Sequence, residues 1–173
     1  MRATARALVK LEQLEPVLRQ ASPALSGALR APEACPWWPG TLAIELTTTL
    51  AALGGVRLVE RVSQQVVAES LSGVLRPLLS AVAAVMGLQP SSVFLQFGRF
   101  AQSTLKGVSF GWAPSGATTG TLTIEYPCDV APEFVGWWLG SLAHVWLVTR
   151  REGHVSWTTA PRGFTFSLSW SPK

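Results

Sequence analysis

Charged residues are scarce in this 173-residue chain. Asp, Glu, Lys and Arg together make up 14% of the sequence, whereas hydrophobic residues make up 48%. Soluble proteins carry about 25% charged residues, so a monomer of this composition has little polar surface with which to cover itself. Since large exposed apolar patches mark interfaces, we expect a partner surface, most simply that of a homodimer. The alternative is a large core in a small protein.

Clustered positive charge is also lacking, although the formal net charge is +4. Arg150 and Arg151 are the only adjacent basic pair, and Glu152 follows them directly. Basic stripes interleaved with aromatic residues are typical of nucleic-acid-binding surfaces. The sequence therefore predicts no nucleic-acid partner.

Cysteine is rare as well. Cys35 and Cys128 have no second cysteine or histidine at metal-ligand spacing, which argues against a metal site. The charged, amphipathic start "MRATARALVKLEQLEP" is not a secretory signal, so we expect reduced thiols and a cytoplasmic protein. Cys128 precedes a helix and is either reactive or structural; the neighbouring Asp129 opposes a thiolate and favours the structural role.

Catalytic motifs are absent from the sequence. There is no Gly-x-Ser-x-Gly elbow and no phosphate-binding loop. Glu125, Asp129 and Glu133 cluster around one turn, but helix capping and solvation explain them better than paired acid–base catalysis. We therefore predict that the protein is not an enzyme and carries no cofactor.

Uninterrupted hydrophobic runs long enough to span a membrane are missing too. The run from Phe134 to Thr149 has 16 residues without a charge, fewer than the ~20 that a transmembrane helix needs. The uncharged run 77–98 is broken by Pro90. Both runs are typical of buried helices, and we expect no membrane span.

The first part of the chain has helical periodicity. Leucines recur every three or four positions between residues 5 and 20, which predicts a first helix that Pro16 kinks or shortens. A loop rich in proline, serine and glycine, with at most one short helical turn, follows. The pattern then predicts helices over 41–53 (ended by Gly54 and Gly55), over 56–87, and from Pro90 to just before Gly107.

The second part alternates hydrophobic and polar residues, as half-buried strands do. Strands are predicted in "VSFGWAP", "TGTLTIEYP", "HVSWTTA" and "GFTFSLSW", with a helix over residues 132–149 between the two pairs. Because the strands are segregated from the helices, the fold class is α+β with an antiparallel β-β-α-β-β sheet unit. We expect a single domain, 1–173, made of an N-terminal helix and proline-rich loop (1–40), a helical part (41–105) and the sheet with one crossing helix (107–170).

The 132–149 helix carries most of the candidate site residues. Helical spacing places hydrophobic side chains on one face, where they either line an apolar pocket or form core; these candidates are Phe134, Trp138, Leu142 and Trp146, together with Trp112 from the first strand. Gly136 and Gly140 form a small-residue stripe, and Trp137 points to a different side from Trp138, so these three are candidate interface residues. His144 is the candidate haem ligand, and a hydrogen-bonded core histidine is the alternative.

Five segments in order carry a resemblance: "WWPGTLAIELTTTLAALGG", "VERVSQQVVAESLSGVLRPLLSAVAAVMG", "VSFGWAPSGATTGTLTIEYP", "APEFVGWWLGSLAHVWL" and the final strands "HVSW" and "FTFSLSW". Over roughly residues 40–170 the chain resembles a myxobacterial paralogous family of unknown function, which is similar to haem-NO-binding, 4-vinyl-reductase and TRAPP-type domains. The resemblance implies this fold and a sensor, ligand binder or assembly module.

The domains that the chain resembles carry cofactor-binding motifs from which this sequence departs. Haem-NO-binding domains carry a proximal histidine and a Tyr-x-Ser-x-Arg motif, whereas Tyr126, the only tyrosine, is followed by "PCDV". Some 4-vinyl-reductase-type domains hold zinc with a cysteine cluster, and here only Cys128 falls near the comparable region.

Three functional hypotheses follow. The first is a non-enzymatic, homodimeric interaction module that docks a protein partner in a signalling assembly. The second is a sensor that binds a small apolar ligand between the 132–149 helix and the sheet. The third is a haem or gas sensor that uses His144.

Overall fold

The computed structural model describes residues 2–32, 39–70, 89–96 and 105–172. The chain forms two compact units, one of Met1–Gly73 with Ala131–His144 and the other of Val74–Val130 with Val145–Lys173. The prediction made for Cys35, and the parts of the predicted helices that fall at 71–87 and 97–104, lie outside the described residues.

Helices build the first unit. They are α1 (Arg2–Lys10), α2 (Leu14–Gln20), α3 (Pro23–Arg30) and α4 (Gly40–Ser70). Their apolar faces meet in one cluster of buried side chains, so burial of these faces holds the four helices together; its members are Leu8, Val17, Leu25, Leu29, Leu46, Leu50, Leu58, Val59 and Val62.

The single helix expected over residues 5–20 is in fact two helices. The chain turns at Glu12, whose φ is +58°, and the Gln13 N–H donates to the Leu8 carbonyl at 2.8 Å to close helix α1. Pro16 is the third residue of α2. A proline is tolerated in a first turn because the amide nitrogens there have no helical acceptor, so the break precedes Pro16.

Helix α3 occupies the segment expected to be mainly loop. The Ser22 hydroxyl accepts a hydrogen bond from the Leu25 N–H, and Pro23 stands in the first turn, which together form a well-made start. The backbone N–H and the hydroxyl of Ser22 also donate to the Glu45 carboxylate, at 2.6 and 2.9 Å. The cap of α3 is thereby attached to α4.

Helix α4 bends at the predicted glycine pair. Gly54 (φ −160°, ψ 21°) and Gly55 (φ 66°, ψ −171°) are non-helical, and the positive φ of Gly55 is a conformation that glycine adopts without steric cost. The predicted end at residue 53 is therefore a kink between two helical segments, 40–53 and 56–70.

Among the described residues, α4 is the one helix with the length and apolar character of a membrane span. A stretch of 18 residues within it has a mean hydropathy of 1.5, and 33% of this stretch is buried. One such helix is weak support for a span, because core helices share these properties. Helix α4 supplies much of the buried cluster of the first unit.

The second unit contains a four-stranded antiparallel sheet. Its strands are β1 (Ser109–Gly116), β2 (Thr119–Glu125), β3 (Gly153–Ala160) and β4 (Gly163–Trp170), in the order β1-β2-β4-β3. Residues 90–96 are helical (α5). The last five residues of helix α6 (Val135–Thr149) also belong to this unit. The predicted α+β class and the antiparallel sheet are confirmed.

Strand register separates the two faces of the sheet. Residues directly opposite each other in an antiparallel ladder lie on the same face, so the pairs Leu122↔Phe166 and Ile124↔Phe164 define the buried face. The other face carries small hydroxyl side chains in cross-strand pairs such as Thr123↔Thr165. This is the alternation that the sequence predicts.

Candidate functional site

Helix α6 begins with a 3-10 turn, Pro132–Phe134. The Phe134 N–H donates to the Ala131 carbonyl at 3.0 Å, and at the other end the Arg151 N–H donates to the Trp146 carbonyl at 3.1 Å. Arg150 has a φ of +53°, a left-handed conformation that ends the helix. The predicted span 132–149 is therefore a 3-10 turn followed by an α-helix.

The glycine stripe of α6 packs against α4 inside the first unit. A Cβ added to Gly136 would lie 2.8 Å from the Cβ of Val59. One added to Gly140 would lie 2.5 Å from both the Glu60 carbonyl oxygen and the Cβ of Ser63. The two helices approach this closely because the glycines have no side chain. The stripe thus has a partner within the chain, and its assignment to an interface between copies stays a prediction.

Trp137 contacts the same helix through hydrogen bonds. Its indole N–H donates to Oγ1 of Thr47 at 2.7 Å, and its carbonyl oxygen accepts from the Ser63 hydroxyl at 2.6 Å. Because these bonds satisfy polar groups at the helix contact, Trp137 has a packing role in the first unit. Its role in an interface between copies also stays a prediction.

The five candidate ligand-lining residues divide between the two units. Phe134, Trp138 and Leu142 are buried in the first unit, whereas Trp112 and Trp146 belong to the second. Only the second group can be assembled from contacts within one unit, so the candidate site is built there.

Four aromatic rings form a cluster in the second unit. The ring centroid of Phe94 lies 4.9 Å from that of Trp112, 5.7 Å from that of Trp146 and 6.3 Å from that of Trp170. Trp170 in turn lies 6.4 Å from Trp112 and 6.2 Å from Trp146. These separations are within the 4.5–7 Å range of favourable aromatic pairs. We call Phe94, Trp112, Trp146 and Trp170 the aromatic cluster.

Two glycines of the sheet make room for the indole rings. The nearest ring atom of Trp112 would lie 2.1 Å from a Cβ built on Gly120, and that of Trp146 would lie 2.2 Å from a Cβ built on Gly153. Both rings therefore rest directly on strand backbone. A glycine within a strand often marks such a close approach, and it was this signal in the sequence that could have located the cluster.

Trp170 has an unsatisfied polar atom. The residue is only 5% exposed, and its Nε1 has no hydrogen-bond partner among the described residues. Burying a donor without an acceptor costs about 1–3 kcal/mol. Trp112 and Trp146 are only half-buried, so the aromatic cluster reaches the surface of its unit. The arrangement offers a small molecule aromatic faces and one hydrogen-bond donor.

Sequence reasoning placed Trp112 and Trp146 in the candidate site but missed Phe94 and Trp170. Trp170 ends the alternating segment "FTFSLSW" on the same side as Phe164, Phe166 and Leu168, so its inward direction was readable. The proximity of Trp170 to Phe94 could not be predicted from the sequence, because helix α5 and strand β4 are far apart along the chain.

The titratable candidates are dispersed. His144 is half-buried on α6, and His154 is exposed on β3. Cys128 is an exposed free thiol. Oδ1 of the neighbouring Asp129 lies 3.5 Å from Nε of Arg162 in an exposed ion pair. Within the described ranges, no group of three or more His, Cys, Asp or Glu side chains is placed to hold a metal ion.

No protein-family model and no curated protein matches the chain. Solved structures do resemble it. An H-NOX protein from K. algicida in its Fe(II) unliganded form matches with a TM-score of 0.69 and 9% identity, over 99% of this chain and 95% of that one. An oxygen-binding H-NOX domain related to soluble guanylate cyclases, in its oxygen complex, matches with a TM-score of 0.64 and 9% identity, over 98% and 92% of the two chains. The chain therefore has an H-NOX-like fold, which agrees with the resemblance to haem-NO-binding domains.

The residues of this chain do not fit a haem held in the way that the resemblance implies. The Tyr-x-Ser-x-Arg motif is missing, and the ring of Tyr126 packs edge-on against Phe164, with 6.3 Å between centroids. The backbone N–H of Tyr126 is held by the Arg162 carbonyl at 2.8 Å. Of the two histidines, only His144 is partly buried.

Proposed function

We propose that the protein is a non-enzymatic sensor domain of H-NOX-like fold that binds a small, mostly apolar ligand at the aromatic cluster. The ligand carries one hydrogen-bond acceptor, which meets the indole N–H of Trp170. The observation that carries this proposal is the buried Nε1 of Trp170, for which the described residues provide no acceptor.

The chemistry of the cluster supports this ligand class. Aromatic side chains provide most of the apolar lining of small-molecule sites, and a few polar groups fix the orientation of the ligand. An acceptor placed on Trp170 recovers the hydrogen bond that folding leaves unmade. The aromatic cluster includes no carboxylate, ammonium or guanidinium group, so it suits a neutral ligand better than an ion.

The fold similarity supports a sensory role in broader terms. One of the similar structures is described as an oxygen-binding domain related to soluble guanylate cyclases. A small neutral ligand at the end of α6 suits a domain of this type. The sensor hypothesis therefore has more support than the interaction-module hypothesis.

Native mass spectrometry of the purified, untagged chain is the first experiment. Extra mass that leaves on gentle activation, and corresponds to a small neutral molecule, agrees with the proposal. The decisive test then uses acetophenone and ethylbenzene, which have nearly the same shape and differ in a carbonyl oxygen. We expect wild type to bind acetophenone about tenfold more tightly, because one hydrogen bond to a buried donor is worth roughly 1–2 kcal/mol.

Trp170→Phe is the matching variant, since it keeps an aromatic ring and removes the N–H. It should bind the two probes equally. Tyr126→Phe is the control, because it removes a polar group from an aromatic residue of the same unit that lies outside the aromatic cluster; it should keep the preference for acetophenone. Equal binding of the two probes by wild type, or binding of neither, contradicts the proposal.

A haem-dependent gas sensor is the second candidate, and the similarity to Fe(II) H-NOX structures is the observation that favours it. In this chain His144 would be the residue that holds the iron, because it is the one partly buried histidine. Titration of the purified chain with haem, followed by its absorption spectrum, tests this. A sharp Soret band in wild type that is lost in His144→Ala and kept in His154→Ala would establish haem binding and displace the first candidate.

A further inference from the structure

The two edges of the sheet differ in how they are protected. Strand β1 contains Pro114, which has no backbone N–H, and its register with β2 shifts between Pro114 and Gly116. Prolines and bulges of this kind prevent a sheet edge from pairing with another chain. Strand β3 has neither device, because its register with β4 runs without interruption from Gly153 to Ala160.

Strand β3 also lacks the charges that usually protect an edge. Its sequence, "GHVSWTTA", contains no Lys, Arg, Asp or Glu. Among the described residues, no strand pairs with its outer side. A regular, uncharged edge of eight residues is a template for strand addition.

The backbone groups that face outwards can be identified from the hairpin. Ala160 pairs with Gly163 across a two-residue turn, and the pair that closes such a turn is hydrogen-bonded. Hydrogen bonds to β4 then alternate along β3, so the residues between them direct N–H and C=O away from the sheet. These are Gly153, Val155, Trp157 and Thr159.

Trp157 gives this edge an exposed aromatic side chain. It lies opposite the fully buried Phe166 on the core face of the sheet, yet it is itself 45% exposed. Aromatic residues are enriched in protein interfaces, and tryptophan is one of the residues enriched in binding hot spots. Exposure of Trp157 at the unprotected edge therefore distinguishes β3 from ordinary surface.

We propose that β3 pairs antiparallel with β3 of a second copy of this chain, about a two-fold axis at Ser156. In this register the outward backbone groups of Gly153, Val155, Trp157 and Thr159 bond to the same set on the other copy. Val155 lies opposite Trp157, an aromatic–β-branched pair of the kind that stabilises cross-strand contacts. His154 lies opposite Thr158.

The composition of β3 favours a second copy as the occupant. Two chains of net charge +4 repel each other, but this pairing brings no like charges opposite each other because β3 has none. The strand is also self-complementary, as the isologous contact of a two-fold dimer requires. The proposal thereby gives the dimer expected from the scarcity of charge a specific surface, a strand edge that is separate from the candidate interface residues of α6.

Sedimentation equilibrium of the full chain over a range of concentrations tests the proposal. Wild type should be a dimer, and Trp157→Lys should weaken it by about tenfold or more, since lysine protects sheet edges. Ala113→Lys, which adds the same charge to an exposed position on β1, should leave the dimer intact. A monomeric wild type, or a dimer that Trp157→Lys leaves unchanged, overturns the proposal.

Cross-linking tests the register independently. In a chain with Cys35→Ser and Cys128→Ser, the variant Ser156→Cys places two thiols opposite each other in a non-hydrogen-bonded pair, where Cα atoms are about 4.5 Å apart and a disulfide can form. Mild oxidation should give a covalent dimer. Thr158→Cys in the same background should not, because it faces position 154. Absence of cross-linking at 156, or equal cross-linking at both positions, overturns the proposal.

Discussion

The indole N–H of Trp137 donates a 2.7 Å hydrogen bond to Oγ1 of Thr47, which lies 90 positions earlier in the chain. The Thr47 hydroxyl in turn donates to the Ala43 carbonyl at 2.7 Å. A single buried hydroxyl thus accepts from α6 and donates within α4. A hydroxyl can do both because it carries one donor and two acceptor lone pairs.

Thr47→Val keeps the shape of the side chain and leaves the Trp137 N–H without its acceptor. We expect the free energy of unfolding to fall by about 1–3 kcal/mol, the cost of an unsatisfied buried donor. Urea unfolding monitored by circular dichroism gives the value. Thr48→Val removes an exposed hydroxyl that bonds to the Ile44 carbonyl and should change stability by less than about 0.5 kcal/mol. Equal losses in the two variants would contradict a specific role for Thr47.

Gly140→Ala tests the close contact between α6 and α4. The added methyl group would meet the Glu60 carbonyl oxygen at 2.5 Å, and since backbone cannot move aside easily, we expect a loss of about 1–3 kcal/mol. Gly27→Ala is the control, because a Cβ at Gly27 in helix α3 meets nothing within 4 Å. It should stabilise the protein by about 0.4–1 kcal/mol, since alanine restricts the unfolded chain. A neutral Gly140→Ala variant would show that the two helices are not in close contact.

The ion pair between Lys10 and Glu69 should make stability depend on pH. The hydrogen bond from Lys10 is the main cause that lowers the pKa of the Glu69 carboxyl below its ordinary value of 4.5; the Nζ to Oε1 distance is 2.5 Å. A lowered folded-state pKa contributes stability above the ordinary pKa, and this contribution is lost as the pH falls through the folded-state pKa.

The measurement is the difference in unfolding free energy between wild type and Glu69→Gln, followed from neutral to acid pH. The difference should shrink as the pH falls below 4.5. In a Lys10→Met background, which removes the ammonium partner of Glu69, the difference caused by Glu69→Gln should vary less with pH. A difference for Glu69→Gln that is constant with pH, or grows on acidification, would argue against the assigned ion pair.

Gly153→Ala should disturb the aromatic cluster. The new methyl group would overlap the indole ring of Trp146, whose nearest atom lies 2.2 Å away, so the ring must move and its contacts with Phe94 and Trp170 must change. We expect an altered near-ultraviolet circular dichroism spectrum with an unchanged far-ultraviolet spectrum. Gly111→Ala, where the nearest atom is Cβ of Thr123 at 3.8 Å, should leave both spectra unchanged. An unchanged near-ultraviolet spectrum for Gly153→Ala would count against the packing of Trp146 on the strand.

Local patterns in the sequence determined most of the secondary structure. The alternation of "GFTFSLSW" predicted strand β4 with the bounds that the structure has, and the pair Gly54–Gly55 predicted the interruption of α4. These features are readable because alternation and glycine conformation are properties of adjacent residues. The sequence did not predict that two helices replace the single helix expected over 5–20. Pro16 was the one residue in this segment that usually interrupts a helix, and no glycine or asparagine marked the turn at Glu12.

Tertiary structure decided which surfaces the predicted elements use. The sequence identified Gly136, Gly140 and Trp137 as positions for close contact, but whether the contact lay within the chain or between copies depended on where α4 runs. The helical periodicity that put Phe134 and Trp146 on one face of α6 could not assign them to different compact units. Nor could it bring Phe94 next to Trp170, since the position of one element against another is set by long-range packing. The residues and their faces were thus determined by the sequence, and the aromatic cluster and the unprotected edge of β3 only by the tertiary structure.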